Sequence, residues 1–176
     1  MTGPPNALRT LATATWPPPQ GPAELPPLPG FAASTFNPLV AAVAELCLTR
    51  HRDPDRAGGG DRTGLLLASA SGDRATALAI ETAAASGRRM PPLLFFQSNP
   101  NAVLGHLAAR WGLTGPVVAI SPRHAAEPGQ IPADALELAA LLLADGDADQ
   151  VLVIAAEQAE RPGSTDHGTA VLVTSA

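Results

Sequence analysis

Arg123 and His124 lie just beyond the apolar run "PVVAIS" (116–121), in the stretch "SPRHAAE". A turn after a buried strand is a place where α/β enzymes display reactive groups, and an imidazole there could act as a general base or as a short-lived acyl acceptor. A carboxylate from Glu127 or Glu157 could orient that ring. The patterns that would complete such a site are missing, since no G-x-S-x-G elbow supplies a serine and no His/Cys/Asp/Glu spacing matches a metal site. No cofactor motif stands in for them. Gly58-Gly59-Gly60 lacks the Lys-Ser/Thr of a phosphate loop and precedes a strand, whereas a phosphate cradle needs a helix N-terminus behind it.

The other reactive side chains read as structural. His106 falls with Arg110 on a helical face away from Val103 and Leu107. His51 stands between Arg50 and Arg52 at a helix end, where positive charge suits the dipole. His167, in "DHGT" (166–169), is a turn residue opening the last apolar run. Cys47 is the single cysteine and lies in "LVAAVAELCL", the setting of a buried, inert thiol.

Bulk properties narrow the classes further. A chain of 176 residues suits one domain. The net charge is −5 and the arginines are scattered, which argues against nucleic acid as a partner. No apolar run approaches the ~20 residues of a membrane span, and the first residues lack the order of a signal peptide, so a cytoplasmic protein is expected. Ala-, Arg- and Pro-rich usage fits a high-GC bacterial genome.

The elements that must position these residues alternate. "LRTLATATW" (8–16) has the partial alternation of an edge strand, and "PPPQGPAELPPLPG" (17–30) can hold neither helix nor inner strand. Asn37 as N-cap with Pro38 at the first helical position opens an amphipathic helix to His51. "TGLLLASA" (63–70) reads as a buried strand, and Ser71-Gly72-Asp73 opens a helix after it. "MPPLLFFQS" (90–98) sets Phe95 beside Phe96. A helix over 101–112 carries Val103, Leu104, Leu107 and Trp111 on one face, and Gly112 or Gly115 can end it. The strand 116–121, a helix over 133–146 with Gly146 at its C-cap, and strands at 149–157 and 168–176 complete an α/β chain. The final polar turn is too short for a crossover helix, so the last strand should run antiparallel to its predecessor.

"PNAVLGHLAARWGLTGPVVAIS" resembles the segment that leads to the nucleophile in the β-ketoacyl synthase family, where an N-x-x-x-G-H helix precedes a G-L-x-G-P turn and a strand. "ALELAALLLADGDADQVLVIAAE" is similar to the family's next helix, Gly-Asp turn and strand. Asn101, Gly105, His106, Gly112, Gly115 and Pro116 carry the specific part, over roughly residues 63 to 176. The resemblance implies half of a thiolase-like fold, with a five-stranded mixed sheet whose last strand is antiparallel and with helices packed on it. Residues 1–35 are then a Pro-rich N-terminal segment with an edge strand, and residues 36–176 resemble the amino-terminal ketosynthase half-domain.

Counting from Gly115-Pro116, the family's nucleophilic cysteine falls on His124, with Arg123 adjacent. The resemblance therefore implies no catalytic residue. A condensing enzyme needs a thiolate to carry the acyl chain, because thioester exchange requires a good nucleophile that is also a good leaving group. It implies instead a subunit similar to a chain-length factor, bound to a ketosynthase subunit and served by an acyl carrier protein, as a homo- or hetero-oligomer and with no cofactor or metal. A split condensing enzyme, or a small hydrolase or transferase using His124, are the alternatives. In the family, the strand at 116–121 pairs across a dimer two-fold and the segment before helix 101–112 reaches the neighbour's tunnel. That makes Leu94, Phe95, Phe96, Val117, Val118 and Ile120 interface or tunnel candidates. A sheet covered on one face only would leave the other apolar and in need of a partner.

Overall fold

Aliphatic runs bounded by Gly and Pro build one sheet, and amphipathic segments between them supply its helices. The computed structural model describes residues 7–22, 24–32, 34–51, 62–160 and 163–176. In chain order the elements are β1 (Leu8–Trp16), α1 (Phe36–His51), β2 (Thr63–Ala68), α2 (Arg74–Ala85), α3 (Pro92–Gln97), α4 (Pro100–Trp111), β3 (Val117–Ile120), α5 (Ala133–Ala144), β4 (Gln150–Glu157) and β5 (His167–Ser175). The Gly58-Gly59-Gly60 run lies outside the described residues.

The strand order is β1-β5-β4-β2-β3. β2 is parallel to both β3 and β4, and β5 is antiparallel to both β1 and β4, so the mixed sheet with an antiparallel last strand is present as expected. β1 and β3 form its two edges. On the β1 side Arg50 donates from Nη1 to the Thr13 carbonyl at 2.6 Å.

Alternate strand residues point to opposite faces, and both faces are filled. Leu65, Leu67, Leu152, Ile154 and Leu172 pack with α1 and α4, while Leu66, Val151, Val153 and Val173 pack with α5. The expectation of one uncovered sheet face is therefore corrected. Ala135, Ala139 and Leu143, four apart, seat α5 on the sheet, and the unmet apolar surface moves to the helix's outer side, where Leu141 is 58% exposed.

Several local signals act where the sequence places them. Asp73 caps α2 by accepting from Thr76 N at 3.0 Å. Gly112 ends α4 at φ +67°. Gly115 donates to the Thr63 carbonyl at 3.0 Å, and a Cβ there would stand 2.5 Å from the Gly64 nitrogen, so the turn into β3 requires glycine. Two local readings change. α1 begins at Phe36, with Ser34 Oγ accepting from Phe36 N at 3.1 Å, so Asn37 lies inside the first turn and its side chain is freed for another use. The Pro-rich segment is docked, because Phe31 is buried and Leu25 and Leu28 pack against the α1/α4 core.

Candidate functional site

β2, β3 and β4 end on the same side of the sheet, and their connections meet there. β3 stops at Ile120 and α5 starts only at Ala133, so the chain between them is a long loop and not a sharp strand-to-helix turn. Arg123 and His124 are exposed on that loop. Among the described residues His124 has no hydrogen-bond partner; neither Glu127 nor Glu157 orients it. Arg123 is held only through its backbone nitrogen, 3.2 Å from Asp134 Oδ2.

The carboxylate proposed for His124 has other partners. Glu157 ends β4, is 3% exposed, and accepts from the backbone nitrogens of Ala70 at 2.9 Å, Ser71 at 2.8 Å and Ala126 at 3.4 Å. Gln158 extends the network: its backbone nitrogen donates to Ser71 Oγ at 2.9 Å and its Nε2 to Ser34 and Thr35 hydroxyls. His167, half-buried beside it, donates from Nε2 to the Ala126 carbonyl at 2.9 Å, which makes the "DHGT" histidine a loop anchor. Sequence reasoning missed Gln158 altogether and placed Glu157 wrongly. The available signal was a polar pair closing six consecutive buried residues, since a carboxylate there must find donors.

Next to this network a cavity of about 250 Å³ opens between the loops and the helix starts. Phe36, Leu67 and Ile120 make its apolar part, and Asn37, Ser69, Asp73, Gln97 and Ser121 its polar part. Asn37 and Gln97 are buried, and their side-chain oxygens have no hydrogen-bond partner among the described residues. Asn37 stood out in the sequence only as a helix cap and Gln97 not at all, because burial of polar groups follows from tertiary packing. No group of three or more His, Cys, Asp or Glu able to hold a metal occurs among the described residues, and no helix there is long and apolar enough to cross a membrane.

The apolar candidates occupy a different surface. Phe95 is 70% and Phe96 57% exposed on α3, Leu94 before them is half-buried, and Val117 is exposed on edge strand β3 with Val118 and Ile120 half-buried. Phe96 still touches Phe31 at a 6.3 Å ring separation, and Phe31 meets His106 edge-on at 6.0 Å. His106 is thus packed by an aromatic ring, yet its Nε2 is buried with no partner among the described residues. Asn101 and Gly105 are exposed on α4, and nothing lies within 4 Å of where a Gly105 Cβ would be.

Burial raises the Cys47 thiol to about 11, against a smaller opposing hydrogen bond from the Leu172 backbone and the charge of Arg50. Asp149 is held below the usual carboxylate range by the Arg62 backbone N–H and guanidinium. Both groups lie away from the cavity, and neither bears on it.

The profile of the β-ketoacyl synthase N-terminal domain matches residues 34–176, so the likeness starts well before the segment from residue 63. The sequence matches no curated protein. Among solved structures, a chain of the ketosynthase ApeO in complex with its chain length factor ApeC from Xenorhabdus doucetiae is similar with a TM-score of 0.68 at 15% identity, over 96% of this chain and 79% of that one. The ishigamide ketosynthase/chain length factor gives 0.64 at 20% identity, over 85% of this chain and 46% of that one. A type II polyketide synthase acyl-carrier protein in complex with its hexaketide-bound ketosynthase gives 0.57 at 16% identity, over 81% and 47%. The chain spans about half the length of the last two.

Proposed function

The chain belongs to the β-ketoacyl synthase family, and from that membership we propose that it is a non-catalytic subunit, similar to a chain-length factor, that associates with a ketosynthase and helps to shape its acyl tunnel. The observation that carries the reading is at the loop after β3. Where the resemblance puts a nucleophilic cysteine, this chain has His124, exposed and, among the described residues, with no carboxylate bonded to it. An acyl-imidazole hydrolyses readily, so such a group could not hold a growing chain.

The remaining surface supports a role in assembly. Contiguous exposed apolar patches, unlike scattered single residues, mark interaction sites. Phe95 and Phe96 lie on α3, and edge strand β3 with Val117 and Val118 offers unpaired backbone groups to a second sheet. A lasting interface of this kind buries about 800 Å² per partner. The likeness to structures of ketosynthase–chain length factor assemblies agrees with this reading at the level of fold. An acyl carrier protein then enters through the ketosynthase partner and not through a thiol of this chain.

A split condensing enzyme is the second reading, and the outer side of α5 favours it. A helix apolar on nearly all sides is usually covered on all sides, and the exposed Leu141 would suit a second half supplied by another chain. A condensation assay tests the non-catalytic reading. Malonyl- and acyl-carrier protein incubated with this chain alone should give no ketoacyl product by mass spectrometry, and turnover above a heat-killed control would refute the non-catalytic reading.

A further inference from the structure

Glu157 is a buried carboxylate without a cation. None of the ion pairs among the described residues includes it, and its oxygens face backbone N–H groups only. We propose that Glu157 is an internal anionic ligand: its carboxylate fills a nest of backbone donors drawn from two separate loops and fastens those loops across the ends of β2 and β4.

Three observations carry this. The donors come from Ala70 and Ser71 in the loop after β2 and from Ala126 in the loop after β3, so one side chain bridges segments that no strand pairing joins. Successive backbone N–H groups in a turn form a concavity suited to an anion, and bonds to the charged form are about twice as strong as neutral ones. Ala126 is gripped at both polar atoms, its nitrogen by Glu157 and its carbonyl by His167, and Glu157 and His167 are register partners on β4 and β5. Gly129 N donating to Thr169 Oγ1 at 3.0 Å fixes the same loop farther on. These two loops also contribute Ser69, Gly72 and Ser121 to the cavity wall.

The inference predicts more than a loss of packing. Glutamine has nearly the same shape but one oxygen, so in Glu157→Gln its amide NH₂ would confront a backbone N–H. An outside carboxylate should refill the nest once the side chain is cut back. The test is amide exchange of the full ¹⁵N-labelled chain by NMR, read at Ala70, Ser71 and Ala126, with Val153 in β4 as the internal reference. Glu157→Gln should exchange roughly ten- to a hundredfold faster at one or more of the three amides with Val153 unchanged. In Glu157→Ala, sodium acetate should restore their protection in a concentration-dependent way that sodium chloride at equal ionic strength does not. Wild-type exchange in Glu157→Gln, or an acetate response no larger than chloride's, would overturn the proposal. If Glu157→Ala does not fold, the Gln comparison decides alone.

Discussion

Asn37 reaches from the first turn of α1 to the end of α3, its Nδ2 donating to the Gln97 carbonyl at 3.1 Å and to Asp73 Oδ2 at 3.3 Å. Both partners are acceptors, so the orientation of the amide is fixed. One side chain thereby joins α1, the cap of α2 and the end of α3 around the cavity. Asn37→Ala should leave the buried Gln97 carbonyl without this donor and cost about 1–3 kcal/mol, measured by urea unfolding.

The pH dependence of Cys47 follows from its burial. Its thiol is raised from 9.0 to about 11, so the folded state favours the neutral form. The resulting stabilisation is complete below pH 9 and is lost as pH rises toward 11. Iodoacetamide at pH 8 should leave the native chain unmodified and label it only after unfolding, as mass spectrometry would report.

His124→Ala should change stability by no more than about 0.5 kcal/mol, because the exposed ring has no partner to lose. Output of the assembled pathway should stay near wild type. His124→Cys should not create condensing activity in this chain alone, since a thiol on an exposed loop lacks both a base and an oxyanion site. Loss of product in His124→Ala with the complex intact would identify a catalytic histidine.

Gly105 offers a test that separates the isolated chain from its assembly. A helical glycine with open space around it costs roughly 0.5–1 kcal/mol relative to alanine, and nothing among the described residues requires it. Gly105→Ala should therefore stabilise the isolated chain by about that amount in thermal melts. If a partner packs closely on α4, the same change should weaken the complex, an outcome visible as a lower yield on co-purification.

Much of the fold could be read from the residues. β1 spans the same positions as "LRTLATATW", and β2 (Thr63–Ala68) was legible within "TGLLLASA" (63–70) because a short aliphatic stretch between turn signals fits a strand buried on both faces. The antiparallel β5 followed from the shortness of the turn before it. α3 was not foreseen, because the six residues from Pro92 to Gln97 are too few to show a helical period. The start of α1 was misplaced since Asn37-Pro38 imitates a cap, while the helix starts at Phe36, whose N–H is taken by Ser34 Oγ. The site was less legible: the partners of Glu157 belong to loops that meet only once the sheet has formed.

The most direct test of the central claim is the mass of the species this chain forms when co-expressed with a ketosynthase encoded beside it, measured by sedimentation of the purified material. A stable heteromer is predicted, and Phe95→Asp, at an exposed position that leaves the isolated fold intact, should abolish it by burying an unpaired charge at the interface. A 17.9 kDa species alone, persisting down to micromolar concentration in the presence of the ketosynthase, would contradict the account.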